Sequence, residues 1–254
     1  MNKLSRRQVI TTGLAATAAV SGLAVAAKLA GRYGLIPPDS GGIYGAGETL
    51  TYAAQRVLTR HALAREFSQS QISKDPFANP VDPLGEEFQR FQSRGFVDWR
   101  LVVDGMITHP ASFSVAELKS FPARTQITMI GCEEGWTYIA EWTGVPLSHI
   151  LELVGTLPQA RYVVYRSIQP DGWDSIDMAE ALHPQTLVSY GMNGAELPVP
   201  FGGPLRMRVP RQLGYKNVKY ITRLTMTDNL KQFGKGLGSG ELGAEDGYAW
   251  YAGI

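Results

Sequence analysis

Punctuation by glycine and proline limits this chain more than any other feature. Twenty-eight glycines and 15 prolines divide 254 residues into short apolar runs. Runs interrupted so often build short strands and short helices, not the long amphipathic helices of a bundle. The expected class is α+β, with mixed short strands and short helices. A single domain of this length buries roughly 70–75% of the surface its unfolded chain exposes, enough for a core without covalent staples.

Regular structure is expected from Trp99, where Trp99 to Val103 reads as a strand ending at the Asp104-Gly105 turn. Ser114 with Glu117 is a capping box that starts a short helix through Ser120. Thr125 to Ile130 is a strand running into Gly131-Cys132-Glu133-Glu134-Gly135-Trp136. Pro146 opens a helix carrying Leu147, Ile150, Leu151 and Val154, with Gly155 ending it. Strands follow over Arg161 to Ser167 and Leu187 to Tyr190, then over Leu205 to Val209 and Val218 to Met226, both of which alternate. Asp177 and Glu180 cap a short helix between the first two of these. Upstream, Leu50, Ala54, Val57, Leu58 and Ala62 recur at helical spacing and predict a helix within 48–67. Residues 68–93, broken by Pro76, Pro80 and Pro83, read as an extended arm. The chain therefore divides into a linker, helix and arm over 31–95, a domain over 96–230, and a Gly-rich tail over 231–254.

The first 30 residues read as an address. Lys3, Arg6 and Arg7 precede an apolar, Ala-rich stretch over 9–27, and Ala24-Val25-Ala26 offers a small-x-small cleavage site. Ser5-Arg6-Arg7-Gln8-Val9-Ile10 resembles a twin-arginine motif, with Val9 where Phe is preferred. A membrane anchor is the other reading, since a bilayer needs ~20 apolar residues. The weak hydrophobicity of Ala, Gly and Thr favours the signal. Either way the domain is expected in the periplasm or on the outer face of the cytoplasmic membrane, exported folded.

Composition narrows the chemistry. Twenty-four basic against 23 acidic residues give a net charge of +1, which argues against a nucleic-acid binder. The single cysteine excludes an intrachain disulfide and any cluster built from several thiolates. The four histidines include no close pair, so a histidine metal site is not expected. Beside Glu133 and Glu134, the Cys132 thiol is a poor nucleophile, because neighbouring carboxylates raise its pKa. A bound metal reverses that logic by deprotonating the thiol, and a soft thiolate suits a redox-active transition metal. One thiolate is too few, so the other ligands would come from an organic cofactor.

Six ordered blocks give this inference a context. They are Cys132-Glu133-Glu134-Gly135-Trp136, Trp142 to Leu147, Ile176 to Pro184, and Tyr190 to Gly194 with Leu197-Pro198. Gly203 to Arg206 follows, then Val209-Pro210 with Leu213 to Tyr220. Together they resemble the molybdopterin-binding domain of the sulfite oxidase family, in its bacterial branch typified by periplasmic methionine-sulfoxide reductase catalytic subunits. The resemblance implies a sulfite-oxidase-type molybdopterin-binding fold and one molybdenum-molybdopterin per chain. It implies Cys132 as the metal ligand and Ser167 as a cofactor contact. It also implies Arg206 on the pterin phosphate, and Asn217, Val218 and Lys219 as a backbone-and-lysine contact. A guanidinium suits phosphate oxygens because its planar fork binds two at once. Glu134, two residues from the cysteine, is the expected proton-handling group. In the arm, Arg65-Glu66-Phe67 is the poor counterpart of a family cofactor contact, with Arg65 as its cofactor-binding residue. Phe201 stands where relatives commonly carry His or Asn.

Sulfite oxidases also carry a haem domain and a dimerisation domain. Neither is expected here, which lowers the case for sulfite and favours sulfoxide-type reduction by a monomer. With no second redox centre, electrons are expected through a membrane-bound haem or quinone-linked partner. The tail aromatics Tyr248, Trp250 and Tyr251 are a possible docking element for it, or an arm packed on the protein's own core. Arg166 is a candidate for neutralising an anionic substrate. Two other readings compete: a thiol enzyme pairing Cys132 with His183 or His149, and an exported binding protein without chemistry.

Overall fold

Two mixed-length sheets carry the fold, and their edges define the site. The first orders β2 (Ala111–Ser114), β1 (Arg100–Gly105), β10 (Ile221–Thr227), β5 (Tyr162–Ser167) and β6 (Trp173–Asp177). Its β1–β10 pair is parallel, and its other pairs are antiparallel. The second sheet orders β3 (Arg124–Gly131), β4 (Thr137–Pro146), β7 (Leu187–Met192) and β8 (Ala195–Glu196), with β9 (Arg206–Arg208) also pairing β7. The helices packed with them include α1 (Gly45–Leu58), α2 (Glu86–Ser93), α3 (Val115–Ser120), α4 (Leu147–Leu153) and α5 (Met178–Ala181). This computed structural model describes residues 28, 30–31, 34–41, 45–79, 84–240 and 248–254. The signal reading over 1–27 and the stretch 241–247 of the tail lie outside the described residues.

The shared core is built where inward positions of the two sheets meet. Leu101 and Val103 of β1, Val163 and Tyr165 of β5 and Leu224 of β10 pack with Leu147, Ile150 and Leu151 of α4 and with Val188 and Met207. The α3 start is as expected: the Ser114 hydroxyl accepts from the Glu117 amide at 3.1 Å, and the Glu117 carboxylate accepts from the Ser114 amide at 2.7 Å. Pro146 is the cap preceding α4 and Gly155 (φ 64°) follows its end.

Four expectations need correction. Helix α1 stops at Leu58, and it buries Glu48, Tyr52 and Arg56 rather than the apolar spacing that predicted it. A polar network causes this. Arg56 donates to Asp177 at 2.6 and 2.9 Å and to Glu180 at 3.0 Å, and the Tyr52 hydroxyl donates to Asp177 at 2.7 Å. Arg211 reaches the same Glu180 at 2.7 Å from the other side. The arm contains α2, because Phe88 and Phe91, three residues apart, pack their rings on Trp99 at 5.9 and 5.3 Å. The alternation over Leu205 to Val209 does not separate an inner from an outer face, since all three residues of β9 are buried. Finally, β10 begins only at Ile221, because Tyr220 sits at φ 57°, outside strand geometry.

The tail folds back onto the body. Trp250 is 2% exposed and packs its ring on Tyr52 at 5.8 Å, while its indole N–H donates to Ser175 at 2.9 Å. Tyr251 packs on Tyr52 at 5.0 Å. These two aromatics therefore belong to the protein's own core, and docking through them is not available. Among the described residues, no helix is long and apolar enough to cross a membrane.

Candidate active site

The cysteine loop is a hairpin connection. Between β3 and β4 the Cys132 amide donates to the Trp136 carbonyl at 3.0 Å, and the Gly135 amide donates to the Cys132 carbonyl at 3.0 Å. Gly135 takes φ 91°, a conformation that glycine adopts without penalty. The loop is thus held at the end of the hairpin by backbone bonds, and the thiol faces the Glu133 carboxylate at 3.3 Å. Opposite lies Gly214, where an added Cβ would stand 3.4 Å from the Cys132 sulfur, so the missing side chain keeps that approach open.

Around this thiol opens a cleft of about 840 Å³. Cys132, Glu134, Ser167, Arg206, Asn217, Val218 and Lys219 all border it. They come from both sheets: Ser167 ends β5, Arg206 lies on β9, and Asn217 to Lys219 lead into β10, with a backbone bridge joining Arg206 to Lys219. Arg65 is not brought there. It is exposed and lies over the Phe67 ring at 4.8 Å, while its neighbour Glu66 bridges to Thr128 of β3. The arm reaches the cleft through Asn79 instead, whose carbonyl accepts from Lys219 Nζ at 2.7 Å.

One end of the cleft is cationic without compensation. Arg206 is buried, donates to the carbonyls of Phe201 at 2.7 Å and Asn217 at 2.8 Å, and lies over the Trp142 ring at 5.1 Å. Behind it Arg208 is fully buried, donating to Asn217 Oδ1 at 2.8 Å and Thr128 at 3.1 Å, with its Nε unpartnered. Burial and then Arg206 beside it push Arg208 down to about 9, and the same two causes push Lys219 down to about 8. Among the described residues none of the three cations forms an ion pair with a carboxylate. Buried charges are normally paired, so this end is built for an anion from outside the chain. Asn217 itself is engaged inward: its amide donates to the Leu213 carbonyl at 3.0 Å and its Oδ1 takes the Arg208 and Val209 donors.

The other end is the thiol. Burial first, and then the Glu133 and Glu134 carboxylates, push Cys132 up to about 12. Glu134 Oε2 is 3.7 Å from the sulfur and is fixed by the Trp136 indole N–H at 2.6 Å. No histidine serves as a base here. His183 bonds to the Ala62 carbonyl at 3.2 Å, His149 packs on Phe121 at 5.6 Å, and neither borders the cleft. The Cys–His pairing of a thiol enzyme is therefore not assembled. Arg166 also stays outside, over the Trp173 and Phe233 rings at 5.6 and 5.7 Å.

Residues 90–233 match the family model described as the oxidoreductase molybdopterin binding domain, over more than half of the chain. The chain belongs to that family. This molybdopterin-binding oxidoreductase domain is 38% identical over 191 residues to an Azospira oryzae protein named as a methionine-sulfoxide reductase subunit, YedZ1, covering 75% of this chain and 68% of that one. It is 33% identical over 149 residues to the protein-methionine-sulfoxide reductase catalytic subunit MsrP of Xanthomonas campestris, covering 53% of this chain and 46% of that one. The chain thus spans about half the length of the MsrP relative. Among solved structures, the sulfane dehydrogenase SoxCD of Paracoccus pantotrophus shares the fold at TM-score 0.51 and 20% identity, over 72% of this chain and 52% of that one.

The residues present fit the cofactor of the family. A thiol that a bound metal would deprotonate stands at one end of the cleft and unpaired buried cations at the other, which is the donor set that a metal and a phosphate require. Sequence reading missed Arg208, Asn79 and Gly214. Arg208 was hidden by the strand alternation, and Gly214 carries no sign of the thiol facing it. Arg206→Ala is expected to lower cofactor affinity about ten- to a hundredfold, since a charged hydrogen bond is worth roughly 1.5–3 kcal/mol. Molybdenum occupancy at limiting cofactor measures this, and normal occupancy would make Arg206 a purely structural residue.

Proposed function

We propose that this domain reduces a sulfoxide sulfur carried on a methionine-type side chain, at the outer face of the cytoplasmic membrane. The carrying observation is a cleft with a cationic end that lacks carboxylate partners and, at its other end, a thiol opposite Gly214. Cys132 would hold the molybdenum, and Arg206 and Lys219 the pterin phosphate, with Ser167 and the Asn217-Val218 backbone as further contacts. When bound, the molybdenum cofactor supplies two-electron oxygen-atom transfer chemistry.

The chain's own residues do the rest. Arg206, held by two carbonyls, arrives at the phosphate already oriented, so little side-chain freedom is lost on binding. A phosphate beside Lys219 favours its charged form and offsets what burial costs it. Glu134, anchored by Trp136 and 3.7 Å from the sulfur, is the side chain placed to pass a proton beside the thiol. In the overall reaction the S–O bond breaks, sulfur gains an electron pair, and the oxygen leaves as water with two protons. The electrons come through a membrane-bound haem or quinone-linked partner, in keeping with relatives named as subunits. Residues 1–30 direct the folded domain outward, as a cleaved twin-arginine signal or a retained anchor.

Preference for a sulfoxide over sulfite rests on the wall beside Cys132. Trp136 stacks on Tyr138 at 5.9 Å, and Phe201 meets Tyr138 edge-on at 5.8 Å. Such a wall suits an apolar sulfur side chain, since sulfur–aromatic contacts are worth about 0.3–1.5 kcal/mol. It offers nothing to a small dianion. Purified holoenzyme is expected to carry one molybdenum per chain and to turn over methionine sulfoxide but not sulfite. Phe201→Ala is expected to raise KM for the sulfoxide about two- to tenfold with kcat little changed. Turnover of sulfite alone, or an unchanged KM, would reject the sulfoxide reading.

A further inference from the structure

Arg208 stands behind the cleft and does not border it. Its guanidinium is fully buried, its hydrogen bonds go to an amide, a hydroxyl and a carbonyl, and its Nε has no partner. A buried charge without a carboxylate costs the empty protein stability, and a hydrocarbon side chain of like volume would fill the same space without that cost. The guanidinium therefore does something that packing alone does not.

It joins three segments of the site. Strands β9 and β3 are not neighbours, since β7 and β4 lie between them in the sheet. From β9, Arg208 nevertheless donates to the Thr128 hydroxyl at 3.1 Å and to the Met129 carbonyl, both on β3. Met129 stands three residues before Cys132. The same guanidinium donates to Asn217 Oδ1 at 2.8 Å, and Asn217 passes the constraint on in two directions. Its carbonyl accepts from Arg206 at 2.8 Å. Its side-chain amide donates to the Leu213 carbonyl at 3.0 Å, next to the Gly214 that faces the sulfur. One buried side chain thus ties together the strand leading to the thiol, the arginine of the cationic end and the wall opposite the thiol.

A cofactor gripped at both ends needs a fixed span between its two anchors. We propose that Arg208 is a positioning residue for the cofactor: without touching it, Arg208 sets the separation of Cys132 from Arg206 by bracing β3 against Asn217. The proposal rests on the cofactor assignment and is independent of which substrate is reduced.

The test uses the full chain, empty and loaded with molybdenum cofactor. Molybdenum-edge X-ray absorption counts the sulfur atoms on the metal, and Cys132→Ser gives the count without the protein's own thiolate. Arg208→Met is expected to lower molybdenum and pterin occupancy at limiting cofactor about tenfold, as for other supports of a metal ligand. At saturating cofactor its sulfur count is expected to shift toward that of Cys132→Ser. Arg208→Lys keeps the charge but loses the planar fork, and is expected to share that shift. Thr128→Val removes one bond of the brace and leaves Arg208 in place, so a smaller shift in the same direction is expected even where Arg208→Met does not fold. Wild-type sulfur counts in the folded variants, with only the thermal midpoint of the empty protein lowered, would overturn the proposal and leave a purely structural arginine. Wild-type behaviour of Arg208→Lys would also overturn it, by assigning the effect to charge alone. Equal sulfur counts in wild type and Cys132→Ser would instead reject Cys132 as the metal ligand, and the proposal with it.

Discussion

Cys132→Ala is expected to abolish sulfoxide turnover while leaving the fold intact. The side chain is small, half-buried, and its loop is held by backbone bonds from Cys132 and Gly135 that alanine preserves. The loss should exceed the 10–100-fold that follows removal of an outer-shell partner, because the residue proposed as the protein's own metal ligand is gone. Cys132→Ser is expected to do the same, since a hydroxyl is a harder donor than a thiolate and does not ionise in this setting. Pterin is expected to remain bound in part, because Arg206 and Lys219 lie at the other end of the cleft. Steady-state kinetics with pterin and molybdenum analysis separates the outcomes. Undiminished turnover in Cys132→Ala would remove the thiolate from the mechanism.

The second large effect falls on stability. Glu180 is fully buried and receives Arg56 at 3.0 Å and Arg211 at 2.7 and 3.1 Å. Burial alone would raise its carboxyl; the Arg211 and Arg56 guanidiniums outweigh that and hold it below the usual carboxylate range. Glu180→Ala strands two buried arginines, and breaking a buried pair in this way costs about 3–5 kcal/mol. Arg56 keeps Asp177, and Arg211 keeps the Thr59 and Ala62 carbonyls at 2.8 and 3.1 Å, so the lower end is expected. Urea unfolding measures it; a change below about 1 kcal/mol would show that the network does not hold α1. The pH dependence follows in sign. Because the folded carboxyl binds its proton more weakly than the unfolded one, this stabilisation is present above the ordinary carboxylate range and fades as pH falls through it.

The sequence was legible where local chemistry decides structure. The capping box at Ser114 and the strand before the cysteine loop could be read from the residues themselves, whereas Ser167, Arg206 and Lys219 were named only through the family resemblance and are brought to one cleft with Cys132 and Glu134. What failed was set by contacts distant in sequence. The apolar spacing in α1 marks a helix correctly, yet the ion pairs from Arg56 to α5, over a hundred residues away, decide which side is buried. Strand β4 hides behind Gly144 and Pro146, both poor strand formers. The reason for Gly144 lies in β7, where an added Cβ would come within 2.3 Å of the Val188 carbonyl. Strand β6 reads as polar, but Asp174 is neutralised by Lys216 at 2.5 Å inside the protein.

Residues 249–254 bear on how the site is held. The Leu213 amide donates to the Ala252 carbonyl at 2.9 Å, the Ile254 amide donates to the Arg211 carbonyl at 3.0 Å, and the Tyr215 hydroxyl donates to Ala249 at 2.6 Å. These bonds brace, from behind, the stretch whose Gly214 faces the Cys132 sulfur. A change at Ala249, Ala252 or Ile254, more than a hundred residues from Cys132 in sequence, would therefore be transmitted to the wall that faces the sulfur.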